Sequence, residues 1–446
     1  MGKIKNINFK SLKSNKSFKN IGLKLFRTGI FLLAAVPSIS FILFFFSSFF
    51  GALDREDGYF SDKYNWLLIL ASFLMISNCI FISFNLINIP VLDKSLIWIG
   101  LINWLPFYWF FWSFQKYLKT TKDRSESAKI FIIGSIPVLI SGFCQYFLGL
   151  YGPYRLLNNV IIWYQRPIGD DGSVSGLFNN YNYAGAWLCI IFPLCLGFLF
   201  KNYRNEIFKY INFAIVSCFI TMIVLTTSRS AILAMLISYL LIERFNKNKL
   251  IAIFIFIVST FSLSKILLLV NINIQNYITD FLPAGISNKV ASFNLSNLES
   301  LPRFDIWNKS ISLINQNLFF GYGAGSFSKI YELFDGNFEG IQHTHNIFLE
   351  LAFNHGILIA LFTLFIMISI LISASKKYLF ENNYQDSSFM DKAWIISFSN
   401  FIIIHMFDIT YFDGRISILA WTLLAGLRSI TQKNEKDFNR SSFNSL

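Results

Sequence analysis

Apolar runs of membrane-span length recur along the chain and constrain its fold more than any other feature. The hydrocarbon core of a bilayer is about 30 Å thick, so a helix that crosses it needs roughly 20 mostly apolar residues. Downstream of residue 65 the sequence offers ten candidate runs, two of them somewhat short. They cover residues 66–88, 96–114, 130–150, 183–200, 211–227, 230–242, 250–270, 346–373, 393–412 and 416–430. The pattern predicts an all-α, polytopic membrane helix bundle.

The composition argues against a soluble enzyme. Hydrophobic residues make up 54% of the chain and charged residues only 14%, whereas soluble domains carry about 25% charged residues. In so apolar a chain, the net charge of +13 indicates basic cytoplasmic loops rather than a nucleic-acid surface. The five cysteines lie in apolar runs without a C-x-x-C pair, which argues against a zinc site or a disulfide framework. We therefore expect membrane lipids around the protein and no nucleic-acid partner.

The first apolar run, residues 28–53, decides the predicted topology. Lys and Arg concentrate in the cytoplasmic loops of membrane proteins. One helix over residues 28–53 gives eleven spans and leaves the two termini on opposite sides. If Pro37 breaks the run into a hairpin, 28 of the 38 Lys and Arg residues fall on the cytoplasmic side. We therefore predict about twelve passes with both termini in the cytoplasm.

This topology divides the chain into five parts. Residues 1–27 form a basic cytoplasmic arm, 28–270 an N-terminal transmembrane bundle, 271–344 a large outer loop, 345–430 the C-terminal transmembrane helices and 431–446 a cytoplasmic tail. The outer loop is too long to lack structure of its own. Apolar residues at helical spacing predict a helix over residues 303–317 within it. The turn at residues 321–325 has a Gly-x-Gly pattern, but no preceding strand supports a nucleotide site, so we predict a flexible turn.

The four histidines are informative because three of them, His343, His345 and His355, fall within thirteen residues where the outer loop enters the membrane. Histidine ordinarily titrates close to neutral pH, so His345 is a candidate general base. The alternative is that His345 and Asn346 merely cap the following helix. His343 and His345 also suggest a metal pair, but no carboxylate or cysteine lies at a matching short spacing, so we predict no metal.

Among the arginines on the outer side, where basic residues are scarce, three are candidate ligands for an anion: Arg166, Arg229 and Arg303. A guanidinium near a membrane is costly unless it meets an anion, and its fork of donors suits a diphosphate. The alternative for Arg229 is an interaction with lipid phosphate. Asp408, near the outer end of its predicted span, is either functional or paired with Arg415 or Arg229.

Four stretches together resemble the O-antigen ligase and O-antigen polymerase superfamily of bacterial membrane glycosyltransferases. They are SGLFNNYNYAGAW at 175–187, TSRSA at 227–231, RFDIW at 303–307 followed by GYGAGSF at 321–327, and His345-Asn346 with Gly356. The resemblance spans about residues 130–430, and residues 152–187 and 404–408 look most like cyanobacterial members. Two departures, Tyr181 and Ile359, blur the distinction between ligase and polymerase.

The resemblance implies a metal-independent, inverting glycosyl transfer at the periplasmic face of the bacterial inner membrane, without a cofactor. The donor would be a glycan on undecaprenyl diphosphate, and the acceptor a sugar hydroxyl of lipid A-core or of another lipid-linked glycan. Arg229 and Arg303 would bind the diphosphate, and His345 would accept the proton of the acceptor hydroxyl. Arg166, His343 and Asp408 are then expected to bind substrate.

A transporter of inorganic carbon or another anion is the alternative from a different class. Some cyanobacterial relatives have been described as such carriers, and outer Arg and His residues can bind an anion. A transporter site normally lies near the midplane of the membrane, between broken helices. The polar residues of this chain gather instead at the outer surface, which favours glycan transfer.

Overall fold

A computed structural model describes residues 16–53, 58–84, 94–169, 172–200, 206–243, 302–334, 336–380 and 388–443. These residues are mainly helical, as the sequence predicts, with loops between the helices and one small antiparallel pair of strands that joins Tyr154 to Trp163. The predicted span 250–270 and residues 271–301 of the outer loop lie outside the described residues.

The helices are numbered in chain order over the described residues. They are α1 (Lys16–Leu32), α2 (Pro37–Leu53), α3 (Lys63–Ser83), α4 (Lys94–Ile102), α5 (Leu105–Phe114), α6 (Thr121–Gly134), α7 (Ile136–Leu148), α8 (Tyr181–Leu199), α9 (Glu206–Leu225), α10 (Arg229–Glu243), α11 (Pro302–Gln316), α12 (Phe327–Leu333), α13 (Ile347–His355), α14 (Ile357–Phe380), α15 (Ser388–His405) and α16 (Gly414–Phe443). The strands are β1 (Tyr154–Leu156) and β2 (Ile161–Trp163).

Six helical stretches within the described residues are long and apolar enough to cross a membrane. They are Lys63–Ser83, Lys94–Leu118, Thr121–Leu148, Tyr181–Leu199, Glu206–Leu225 and Ile357–Lys376, and Pro37–Leu53 and Arg229–Ile242 are shorter apolar helices. These stretches support a multi-pass membrane helix bundle. The total of twelve passes stays a prediction.

The first apolar run is broken at the predicted place. Helix α1 ends at Leu32 and α2 begins at Pro37, where the fixed φ of proline suits the first turn of a helix. The Ser40 hydroxyl donates to the carbonyl of Gly29 at 2.7 Å. The Ser47 hydroxyl donates to the carbonyl of Gly22 at 3.1 Å. Because the later serine contacts the earlier glycine, the two helices run antiparallel and form the predicted hairpin.

Three of the predicted continuous spans are interrupted. Residues 96–114 divide into α4 and α5 near Trp104, residues 130–150 divide into α6 and α7 at Ser135, and residues 346–373 divide into α13 and α14 at Gly356. A Cβ at Gly356 would lie 2.1 Å from the carbonyl oxygen of Phe319. Gly356, whose φ is +94°, therefore allows the backbone at Phe319 to pack directly against the break between α13 and α14.

Helix α8 lies at the centre of the bundle and packs against α9, α10 and α15. Its residues from Ala184 to Phe198 are all buried. The Asn400 amide of α15 donates to the Cys189 carbonyl at 2.8 Å and to the Ser238 hydroxyl of α10 at 2.8 Å. These bonds join α8, α10 and α15 to one another.

Candidate active site

The segment that enters α13 holds His345 in an unusual backbone conformation. Asn346 caps the helix, because its side-chain oxygen accepts from the backbone N–H groups of Phe348 at 3.0 Å and Leu349 at 3.2 Å. Just before it, His345 has a φ of +54°, a left-handed conformation that is uncommon for residues other than glycine. Asn346 therefore provides the cap, a role that the capping alternative assigned to His345 and Asn346 together.

The backbone on the other side of His345 is also held in place. The Thr344 N–H donates to Glu350 Oε2 at 2.9 Å, and the Thr344 hydroxyl donates to the Asn346 carbonyl at 2.8 Å. The second Glu350 oxygen accepts from the Asn354 amide at 3.0 Å. Because Thr344 and Asn346 are both fixed, the imidazole of His345 projects from a rigid turn.

The imidazole of His345 is paired with the carboxylate of Asp408. The two atoms, Nδ1 and Oδ1, are 3.2 Å apart, and 26% of the His345 side chain and 10% of the Asp408 side chain are exposed. The Ile409 N–H also donates to Asp408 Oδ1, at 2.9 Å. Arg415, which the sequence offered as a partner for Asp408, instead binds Asp413 with 2.8 Å between Nε and Oδ1.

Asp408 lies beyond the end of α15, in the turn that leads to α16, and it is ionised at neutral pH. Burial opposes ionisation of its carboxyl group, but His345, His343 and Arg303 together outweigh burial and lower its pKa below the ordinary value. A permanent negative charge therefore lies against the imidazole of His345. Such a charge stabilises an imidazolium when the ring gains a proton.

His343 lies beside His345, with 4.3 Å between the ring centroids. The backbone N–H of His345 points at His343 Nδ1 over a long contact of 3.4 Å. Burial and the neighbouring His345 lower the pKa of His343 to about 4, against a smaller opposing effect of Asp408. His343 is therefore neutral at pH 7.

Arg303 lies within electrostatic range of both Asp408 and Arg229, although the two arginines come from different helices. Arg229 is the first residue of α10 and is exposed, and Arg303 is the second residue of α11 and is half-buried. Burial lowers the pKa of Arg303, and so does the positive charge of Arg229, while Asp408 and the hydroxyl of Tyr181 raise it. The structure thus brings Arg229, Arg303, His343, His345 and Asp408 into one cluster.

The turn before Arg229 is strained. Thr227 has a φ of +52°, which is a genuine outlier for a β-branched residue. Its hydroxyl shares a hydrogen bond with the Ser173 hydroxyl, and the Val174 N–H donates to the Leu225 carbonyl at 3.0 Å. Strain of this kind costs about 1–3 kcal/mol and persists where surrounding structure enforces it. Sequence reasoning placed Thr227 in a motif but missed its strained backbone, because a backbone angle leaves no mark on composition or spacing.

Within the described residues, Arg166 takes part in none of the interactions that connect the other five site residues. It follows β2 on an exposed loop, and the structure anchors it through its backbone. The Gln145 amide donates to its carbonyl, and its N–H donates to the Ser175 hydroxyl at 3.1 Å. The same glutamine accepts from the N–H groups of Ser175 and Gly176 at 3.0 and 2.9 Å. Substrate binding by Arg166 stays a prediction.

The glycine turn at residues 321–325 is fixed, so the prediction of a flexible turn is wrong. The Tyr322 N–H donates to the Phe353 carbonyl at 2.7 Å, and the Gly323 N–H donates to the Asn354 carbonyl at 3.0 Å. Gly321 has a φ of +68°, and a Cβ there would lie 2.6 Å from the Phe353 oxygen. The turn therefore holds α11 against the C-terminal end of α13, and with it Arg303 relative to His345.

The structure also corrects the argument against a metal. The ligand atoms of His343, His345 and Asp408 all lie within 4.8 Å of one another and can hold an ion. No carboxylate lies at short spacing from these histidines in the sequence, but Asp408 contacts His345 from 63 residues away. Spacing along the chain was therefore the wrong criterion, and the absence of a metal stays a prediction.

A comparison with protein families matches residues 213–364 to the model of the O-antigen ligase. This match supports membership of the O-antigen ligase family. The matched O-antigen ligase segment runs from α9 into α14 and contains Arg229, Arg303, His343 and His345. Asp408 and Arg166 lie outside it. No curated protein matches the chain significantly.

Proposed function

We propose that this member of the O-antigen ligase family transfers a glycan from undecaprenyl diphosphate to a sugar hydroxyl. The acceptor is lipid A-core or another lipid-linked glycan, and the active site faces the periplasm from the bacterial inner membrane. The observation that carries the proposal is the hydrogen-bonded His345–Asp408 pair within electrostatic range of Arg303, which in turn lies within range of Arg229. One half of the cluster suits an anionic leaving group, and the other half suits a hydroxyl that must lose a proton.

The two arginines are proposed to bind the diphosphate. Cleavage of the glycosyl–phosphate bond leaves a negative charge on the diphosphate that grows in the transition state. Guanidinium groups offer fixed forks of donors that match phosphate oxygens, and preorganised donors of this kind stabilise developing charge. Because Arg229 and Arg303 supply two permanent positive charges, the departure of the leaving group is proposed to proceed without a metal or another cofactor.

His345 is proposed to act as the general base. The acceptor hydroxyl oxygen forms the new bond to the anomeric carbon while the bond to the diphosphate oxygen breaks, and the hydroxyl proton passes to the imidazole. Attack from the side opposite the diphosphate inverts the anomeric configuration. Asp408 then stabilises the imidazolium and holds the ring through Nδ1, which leaves Nε2 to receive the proton.

A deletion strain tests the biological reaction. Loss of the protein should remove long glycan chains from the glycolipids of the outer membrane and cause lipid-linked glycan to accumulate. On a glycolipid gel, core without any glycan would indicate a ligase, and core with a single repeat would indicate a polymerase. A normal glycan ladder would contradict the proposed function.

A further inference from the structure

We propose that His343, His345 and Asp408 form a binding site for a divalent transition-metal ion such as Zn²⁺, and that the bound ion blocks glycan transfer. The three side chains converge although they come from two separate segments, the turn before α13 and the turn after α15. The metal site itself does not depend on the proposed function, whereas the blocking effect rests on it.

The spacing of the ligand atoms suits a small ion after a modest movement. Zinc binds imidazole nitrogen and carboxylate oxygen at about 2.0–2.2 Å, so two of its ligand atoms lie about 3.4 Å apart in a tetrahedral site. His345 Nδ1 and Asp408 Oδ1 already lie 3.2 Å apart, and all three groups lie within 4.8 Å. His343 would make most of the required movement, because, among the described residues, its Nδ1 is held only by the long 3.4 Å contact from the His345 N–H.

The donor set selects the kind of ion. Two imidazoles and one carboxylate suit Zn²⁺, Co²⁺ or Ni²⁺, and three protein ligands leave a coordination position for water. Mg²⁺ and Ca²⁺ prefer several oxygen ligands, which this cluster lacks. Arg229 and Arg303 oppose any cation nearby, because Asp408 offsets only one of their two charges. We therefore expect reversible binding that discriminates strongly against Mg²⁺.

A bound ion would remove the base from the reaction. An imidazole that donates its Nδ1 lone pair to a metal carries its proton on Nε2, so it has no nitrogen free to accept the proton of the acceptor. The ion would also replace His345 as the partner of Asp408. Both groups that the transfer requires would then be occupied, while Arg229 and Arg303 remain available to the diphosphate.

The test is a titration of the purified full-length protein, carrying a tag without histidine, with Co²⁺ alone. We expect a visible absorption band that saturates at one equivalent per chain and disappears on addition of Zn²⁺ but not of Mg²⁺. His343→Ala and Asp408→Asn should each lower the affinity for Co²⁺ at least about tenfold. Loss even of a residue that only hydrogen-bonds to a metal ligand lowers metal affinity by about 10- to 100-fold. Glu332→Gln, which removes a half-exposed carboxylate paired with Lys329 at 3.6 Å, should bind normally.

Two results would overturn the proposal. Absence of saturable Co²⁺ binding, or equal binding by the wild type and both ligand variants, would reject the metal site. Because no donor is present in this titration, that failure is independent of the glycosyltransferase assignment. If the site binds Zn²⁺ but saturating Zn²⁺ leaves the transfer rate unchanged, the blocking role is wrong. Inhibition that a chelator reverses would support it.

Discussion

Replacing Asp408 by asparagine tests the proposed proton transfer with the smallest possible change. Asparagine has the same shape and its side-chain oxygen can still accept from the Ile409 N–H, so the turn after α15 should keep its structure. What disappears is the negative charge that lies 3.2 Å from His345 Nδ1. A hydrogen bond to a charged group contributes about 1.5–3 kcal/mol. The imidazole gains its proton in the transition state, and Asp408→Asn loses this contribution only there. The rate should therefore fall about 10- to 150-fold.

The assay is single-turnover transfer from purified lipid-linked donor at varied donor concentration. The rate constant should fall while donor affinity stays unchanged or rises, because the variant removes a negative charge beside Arg303. Asp408→Glu should recover part of the rate, and Glu332→Gln should behave as the wild type. A folded Asp408→Asn variant with a normal rate, or one that loses only donor affinity, would refute the role assigned to this carboxylate.

Four further predictions address the histidines, the glycine turn and the topology. His345→Ala should abolish transfer while the protein still inserts, and His343→Ala should be milder; equal loss at normal protein levels would indicate a structural or metal-binding role for both. The pKa of His343 is lowered to about 4 in the folded protein, so between pH 6.5 and 4 the unfolded chain binds a proton at this residue that the folded protein does not bind. The free energy of unfolding should therefore fall as the pH falls through this range, by up to about 1.4 kcal/mol per pH unit. His343→Gln should flatten this pH dependence in thermal unfolding, and an unchanged slope would contradict the prediction. Gly321→Ala should lower both the melting temperature and transfer, because its Cβ would lie 2.6 Å from the Phe353 oxygen. A reporter fused at Lys63 should give a cytoplasmic signal, whereas a periplasmic signal would show that residues 28–53 cross the membrane once.

Much of the fold follows from simple patterns in the sequence. The helix predicted at 303–317 is observed at Pro302–Gln316, because its apolar residues recur at helical spacing. The hairpin break was predicted from charge distribution, and it occurs at Pro37. The internal breaks at Ser135 and Gly356 could not be predicted from hydropathy, since an apolar run reads the same whether its helix is continuous or interrupted.

The candidate site was only partly accessible to sequence reasoning. Arg229, Arg303 and His345 were chosen from motifs, and the structure brings them together. The partner of His345 could not be deduced, because Asp408 is 63 residues away and Arg415 offered an equally plausible partner for it. Likewise, the strain at Thr227 and at His345 itself is a property of the backbone, which the surrounding contacts impose. These features depend on tertiary packing rather than on local residue preference.

The central claim is that two guanidinium forks bind a diphosphate leaving group, and conservative substitution tests it most directly. Arg229→Lys and Arg303→Lys keep the positive charge but remove the fork of donors. In single-turnover transfer from a polyprenyl-diphosphate-linked glycan, with membrane insertion checked in parallel, each variant should lose about 100- to 1,000-fold in rate, as expected when one transition-state donor is lost. Near-normal transfer by both lysine variants would contradict the claim and leave the arginines as anchors to lipid phosphate.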